Sequence, residues 1–475
     1  LRGRIPRRST VATAAVLLLV LTPAVLLAHQ WLRASAPADG DTLDRVPEEI
    51  RLTFTEPVRL DFTSVEVVGP QGALVIGTLR AAAEDERVLV APVEAGWHPG
   101  EFTLRWSTVG ADGHRTDGTL AFAVEEDADG LPEPEPGPDP DAEDAEAAAV
   151  PPEHHDPRMF PETAAFGPES PAYAAIRGLL FVSLLALLGA VALPLLVVPV
   201  AAQRSPDLAA VLRPGIQRGS ARLGLAAATA LLVATVARLW AQTASLFGSA
   251  EAMQPERLAD TLSLQPWATG WWLQAVAGVV AVAGFALAMR GARAGWAVAG
   301  VAALLAAVTP ALSGHAVASP GLAWLAVPAD ALHVLAAGGW VGGLLALMVI
   351  GIPTALRLDR ERRGPAASLL VHGFSPVALV LAGILMATGI FAAWIHLGDV
   401  TALWTSAYGR TLLLKLGIFA GVFVVGAYNF LRVRPALGEE AGTRRLKRSA
   451  SVELVLALLV IAVTAVLVAI PPPAS

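Results

Sequence analysis

The sequence predicts a membrane protein of two parts: an N-terminal all-β sandwich, then an all-α bundle of eight transmembrane helices. Three observations predict it. Hydrophobic residues make up 55% of the 475 and mean hydropathy is +0.57, too apolar for a soluble chain of this length. Short β-rich runs separated by Gly, Pro and Asp fill residues 29–125. After Pro171 come eight apolar runs, each long enough to cross a hydrocarbon layer of ~30 Å.

Residues 1–28 read as a secretory signal. Arg2, Arg4, Arg7 and Arg8 precede an apolar core from Val11 to Leu27, and Ala28 suits the position before cleavage. Leu26 is larger than usual two residues before such a site, and an uncleaved signal anchor is the alternative. Cleavage after Ala28 would leave His29 as the first residue.

Residues 29–125 carry the β-runs Glu49–Thr55, Phe62–Val68, Ala73–Leu79, Arg87–Val93, Glu101–Val109 and Thr119–Val124. Alternation of Ile50, Leu52 and Phe54, and of Phe102, Leu104 and Trp106, gives each strand one buried face. The pattern predicts an antiparallel sandwich.

Residues 126–170 cannot bury a core. Between Glu125 and Ser170 stand 15 acidic residues against one basic residue, Arg158, so the net charge of −7 hides a positive remainder. This stretch reads as an extended acidic Pro-rich linker, and His154-His155-Asp156 within it as solvated rather than as a metal store.

Residues 171–472 form the membrane part, with spans expected near 173–201, 221–247, 267–289, 294–312, 325–352, 371–396, 409–431 and 449–470. With the β-domain exported, the inner connections carry 16 Arg and Lys residues and the outer ones only Arg257. That asymmetry obeys the positive-inside rule and agrees with the signal. Arg238, Gln242, Gln274, His315, Asp330, His333, His396 and Lys415 then fall in or near the outer third, while His372 and Asn429 lie nearer the cytoplasm. The bland alternative has Arg238 and Lys415 snorkelling to the interface and His396 merely ending a helix.

Asp330 and His333 are three residues apart and share a helix face. An ionisable pair inside a span is costly and marks a functional site by default. Gly338, Gly339, Gly342 and Gly343 read as a small-residue face for close helix packing.

Composition excludes several classes. The chain has no cysteine, so disulfides, thiolate metal sites and Cys-X-X-Cys redox chemistry are absent. No Gly-rich phosphate loop ending in Lys-Ser/Thr occurs, and the lysines are Lys415 and Lys447 alone, so ATP-driven transport by this chain is not expected. Nucleic acid is not an expected partner.

A terminal His29 would offer an amine and an imidazole, and nitrogen donors in a tetragonal arrangement suit Cu(II). The turn Ala111-Asp112-Gly113-His114 adds a carboxylate and an imidazole two residues apart.

At this point the chain resembles a known family. The runs from His29 to Gly40, from Val46 to Val58 and from Gly100 to Trp106, the turn Asp112-Gly-His, and Gly118-Thr-Leu-Ala-Phe-Ala-Val are similar to the CopC copper-binding domain. The resemblance implies a cupredoxin-like Greek-key barrel with one Cu(II) site built from His29, Asp112 and His114. It implies no Met-rich Cu(I) site, because no Met lies between His29 and Gly130. Gln30 departs from the small residue usual after the first His.

Gly314-His315-Ala, Asp330-Ala-Leu-His333, Trp340-Val-Gly-Gly-Leu, Phe374-Ser375, the run Tyr408 to Lys415, and Asn429 resemble the CopD family over roughly 173–470. Together the parts resemble the fused CopC–CopD copper transport and resistance proteins, YcnJ-type importers among them.

The reading that follows is copper import. Cu(II) is captured outside, with other extracytoplasmic copper carriers as further partners, and passed into the bilayer at His315, Asp330 and His333, with His396 as a secondary candidate. The protein is then a multi-pass protein of the cell membrane with its N-terminal domain extracytoplasmic, and not an enzyme. Two alternatives stand beside it: a resistance protein that sequesters copper without net import, and a copper- or haem-dependent membrane redox enzyme.

Overall fold

The computed structural model describes residues 32–55, 58–94, 97–110, 115–125, 166–314, 316, 322–436, 440–470 and 472–473. They fall into two units. One combines the β-domain with residues 240–267, and the other holds the rest of the helical region.

The β-domain is a two-sheet sandwich. One sheet has the order β1 (Leu32–Ala36), β3 (Glu49–Phe54), β7 (Asp85–Pro92), β6 (Arg80–Ala82). The other runs β2 (Thr42–Leu43), β9 (Arg115–Val124), β8 (Gly100–Val109), β4 (Ser64–Gly69), β5 (Gly72–Leu74). All pairings are antiparallel except β2 with β9.

The alternation read from the sequence is the one the sheets use. Ile50, Leu52 and Phe54 are buried from β3, and Phe102, Leu104 and Trp106 from β8. Their rings build the core: Trp97 stacks on Phe102, Phe102 on Phe122, and Phe54 meets Trp106 edge-on at 5.1 Å. Gly118 pairs with Trp106 in register, and a Cβ there would lie 2.6 Å from the indole, so the position admits only glycine.

Two expectations need correction. The run 73–79 is strand only to Leu74, with Ile76 adding a single bridge to Val93. β1, β2 and β6 lie outside the expected runs, because Leu32–Ala36, Thr42–Leu43 and Arg80–Ala82 are short edge strands with little alternation.

Within this unit the sandwich packs on residues 240–267. Phe62 and Val109 bury against Leu246, Phe247 and Leu264, and the Arg59 guanidinium donates to the Gln265 carbonyl at 2.8 Å. Nothing in the hydropathy of either stretch announces this contact.

Among the described residues, eight helices are long and apolar enough to cross a membrane. They are α1 (Pro171–Ala202), α2 (Pro206–Phe247), α3 (Trp267–Met289), α4 (Arg293–Leu312), α5 (Ala323–Leu356), α6 (Arg360–Leu397), α7 (Ala407–Val433) and α8 (Arg444–Leu467). They match the eight expected spans in number and order. α2 and α6 begin earlier than hydropathy placed them, because Arg-bearing segments such as 213–222 and 360–363 continue the helix beyond the apolar run. Arginine is a good helix former, so charge ends the span without ending the helix.

α1 and α5 are the most buried spans. They cross where Gly189 faces Gly342: a Cβ on Gly342 would collide with the Leu185 carbonyl, and one on Gly189 with the Gly342 backbone. Small residues admit this backbone contact, as the glycine pattern implied. At Gly338–Gly342 the α5 backbone widens into a π-helical turn. Such turns recur beside functional sites. The central position of α5 places Asp330 and His333 inside the bundle.

Candidate functional site

Six side chains from three spans, α5, α6 and α7, converge around the N-terminal half of α5. On α5, His333 Nδ1 lies 3.0 Å from Thr388 Oγ1 of α6. Thr388 donates its own hydrogen to the Ile384 carbonyl at 2.8 Å. The hydroxyl therefore accepts from Nδ1–H, and the Nε2 lone pair of His333 remains available to a ligand. Gly389, next in α6, lies against the ring: a Cβ there would stand 3.4 Å from His333 Cε1, an ordinary contact.

The Asp330 carboxylate interacts through its charge with the Lys415 ammonium and with Tyr408, both on α7. Lys415 also acts on His333. The His396 ring, at the end of α6, meets Tyr408 edge-on with centroids 6.2 Å apart. His396 thus joins the same neighbourhood through Tyr408. In an apolar bundle, a carboxylate, a cation and imidazoles form a high-stakes electrostatic cluster.

Arg238 belongs to a different group. It is buried, its guanidinium donates to the Ser313 hydroxyl at 2.9 Å and carbonyl at 3.2 Å, and it bonds Tyr173. It does not snorkel. Gln274 is also fully buried and donates to Thr309 at 3.2 Å, tying α3 to α4. His372, toward the other end of α6, donates from Nδ1 to the Ser368 carbonyl at 2.8 Å and lines a shallow pocket with Arg204 and Ser205.

His29, Asp112, His114 and His315 lie outside the described residues, as do His154 and His155. The flanks of the Asp112–His114 turn are described. β8 ends at buried Val109, β9 begins at Arg115, and Arg115 Nε donates to Ser107 Oγ at 2.9 Å across the hairpin. Burial holds the Arg115 pKa below its usual value. Among the described residues, no three His, Asp or Glu side chains gather closely enough to hold a metal ion.

Sequence reasoning missed Thr388 and the part played by Tyr408. A lone hydroxyl in an apolar run gives no signal, since Thr often bonds its own helix backbone. Lys415, one of two lysines in the chain, was the stronger clue.

Family models match three stretches of the chain. The CopC domain model matches residues 32–125, the model for the N-terminal domain of copper resistance protein D-like proteins matches 168–325, and the copper resistance protein D model matches 368–467. The chain belongs to the fused CopC–CopD family. It is 24% identical to "Copper transport protein CutJ" of Bacillus subtilis over 96% of this chain and 77% of that protein. It is 33% identical to "Protein YobA" of Escherichia coli K12 over 22% of this chain and 86% of that protein. It is 26% identical to "Copper resistance protein D" of Pseudomonas syringae over 52% of this chain and 83% of that protein. Asp330 and His333 lie between the two CopD-region matches, and Thr388, His396, Tyr408 and Lys415 lie in the second.

Proposed function

We propose that this CopC–CopD fusion imports copper. The β-domain captures Cu(II) outside the membrane with His29, Asp112 and His114, and passes it to His315, Asp330 and His333, with His396 beside them. Residues 1–28 are an export signal, the domain of residues 29–125 is extracytoplasmic, residues 126–170 tether it, and residues 171–472 conduct the ion. Other extracytoplasmic copper carriers can load the β-domain.

One observation carries the reading: a histidine held with Nε2 free, beside a carboxylate and a second imidazole, within an apolar bundle fused to a CopC domain. Imidazole nitrogen suits copper, and a hydrogen bond on the other ring nitrogen is how metal-binding histidines are oriented. The B. subtilis relative, named a copper transport protein, points the same way.

The test is cellular copper content at limiting copper, with and without the gene. Loss of an importer lowers it. Unchanged content with lowered tolerance to high copper would favour sequestration instead.

A further inference from the structure

Below the Asp330–His333 cluster lies a second polar group, which the import reading does not use. Asp330, His333, Ala337 and Trp340 follow one another along α5 at helical spacing, so Trp340 shares the face of His333 about 10 Å further along. On α7, Lys415, Phe419, Val422, Gly426 and Asn429 make a matching stripe. Trp340 and Phe419 meet edge-on, with centroids 6.1 Å apart at 81°.

Beneath this aromatic pair stands Glu453 of α8, only 4% exposed. Asn429 Nδ2 donates to Glu453 Oε2 at 2.8 Å, and the Trp340 indole N–H also donates to the carboxylate. Gly426 lies against both groups: a Cβ there would stand in ordinary contact, 3.5 Å from Glu453 Oε1 and 3.8 Å from the indole. The Asn429 Oδ1 atom is buried without a hydrogen-bond partner.

We propose that Glu453 is an intramembrane proton-binding site, at which the carboxylate takes a proton from water and returns it. A carboxylate in an apolar span is stable when it is neutralised or paired. Among the described residues no ion pair reaches Glu453. The elements packed on α8 are chiefly α1 and α7, with α5 and α6 touching it more lightly. Their charged and titratable groups are otherwise placed. Lys415 acts on Asp330 and His333, and Arg177 of α1 donates to the Ala465 carbonyl near the far end of α8. His372 is held by Ser368, His396 meets Tyr408 edge-on, Arg432 sits in the last turn of α7 and Arg434 just beyond it.

The atoms offered are oxygens, a carboxylate and the unpartnered amide oxygen. They suit a proton or a hard cation better than copper, which favours nitrogen and sulfur. The Asn429 amide serves both forms. Its Nδ2 donates to the ionised carboxylate, and after rotation its Oδ1 accepts from the protonated one.

Resting on the import reading, this proton couples to the passage of copper from the His333 tier. The full-length protein in nanodiscs is stepped between alkaline and acidic pH without copper, and infrared difference spectra are recorded. The expected result is a carbonyl band of a protonated carboxylic acid that shifts in D2O, is lost in E453Q and persists in D330N. An identical band in E453Q overturns the site. Because E453Q can disturb packing, N429L is the second variant: it keeps the carboxyl and should move the pH at which the band appears, whereas an unmoved band counts against the assignment. In proteoliposomes with a trapped pH-sensitive dye, copper pulses should drive proton flux in the parent and at least tenfold less in E453Q. Normal copper uptake and flux in E453Q overturn the coupling. The infrared result needs no copper, so the site and the import reading fail separately.

Discussion

His333 of α5 and Thr388 of α6, 55 residues apart in sequence, are joined by a 3.0 Å hydrogen bond whose direction is set by the threonine. Its hydrogen is committed to Ile384, so the imidazole must donate. In the neutral ring this leaves the Nε2 lone pair available to a ligand. Thr388→Val should therefore weaken copper handling without abolishing it, by about 10–100-fold in apparent affinity, as loss of such outer partners usually does. His333→Ala should abolish accumulation while the protein still inserts. Both are read as copper uptake normalised to membrane-inserted protein. Parent-like uptake in His333→Ala would remove this histidine from the path.

Gly342 and Gly343 are neighbours with opposite predicted tolerance. A Cβ on Gly342 meets the backbone of α1, which cannot yield, whereas one on Gly343 meets the Phe374 ring edge at 3.2 Å, which can shift. Gly342→Ala should therefore lower yield and melting temperature severely, and Gly343→Ala should cost about 1 kcal/mol or less. Thermal unfolding of the two variants in the same detergent decides it. Equal effects would mean that the close approach of α1 and α5 does not govern stability.

Much of this fold was legible because it rests on one-dimensional signals. Ile50, Leu52 and Phe54 alternate, and eight apolar runs stand apart, so the central strands could be placed and the spans counted, while the short edge strands could not. What could not be read were partners across elements. Thr388 looks like any polar residue in a span, and its value comes from facing His333. Glu453 is one carboxylate in a strongly apolar run, which hydropathy averages away, and Asn429 and Trp340 give it meaning only once α5, α7 and α8 are packed. The packing of Phe62 and Val109 on Leu246 and Phe247 was illegible for the same reason.

The Cu(II) site proposed at His29, Asp112 and His114 makes a pH prediction. Imidazole and amine must lose their protons to coordinate, so Cu(II) binding should fall as the medium is acidified through the histidine range, near pH ~6.5. Electron paramagnetic resonance of the full chain should show a nitrogen-rich tetragonal signal that H114A and D112A each reduce sharply. An unchanged spectrum in H114A sinks the assignment.

Asp85 offers a control on acid stability elsewhere in the β-domain. Its bond to Arg87 holds its pKa near about 2, below the usual carboxylate value of ~3.9. A depressed acid stabilises the fold above its unfolded pKa and loses that contribution as pH falls toward the folded one. The pair is exposed, so the effect is small. D85N should leave copper binding near pH 7 unchanged and slightly flatten the fall in melting temperature between about pH 4 and 2. A loss of copper binding in D85N would show that this surface pair reaches the metal turn.

The linker prediction separates tether from relay. Replacing His154 and His155 together by Ala should leave copper uptake near normal, because the surrounding Pro-, Glu- and Asp-rich composition supplies reach rather than a built site. A large loss of uptake in that variant would make the pair a relay between the two domains.

Asp330 and Lys415 carry the last prediction, because their charges act on each other and on the proposed copper path. If Asp330 only balances Lys415, its loss harms the protein by leaving an ammonium uncompensated in the bundle. Breaking a buried pair from one side typically costs about 3–5 kcal/mol, whereas removing both charges is often close to neutral. D330N alone should therefore lower the amount of folded protein, and so should K415M. The double variant D330N/K415M should recover it, with the recovery measured as a double-mutant coupling. Copper then discriminates between the two roles. An Asp330 that ligates copper or steers it to His333 leaves the double variant folded but at least tenfold slower in uptake, and this is the outcome we expect. Full uptake in the folded double variant would make Asp330 a structural counter-ion and leave His333, with His315 and His396, as the site.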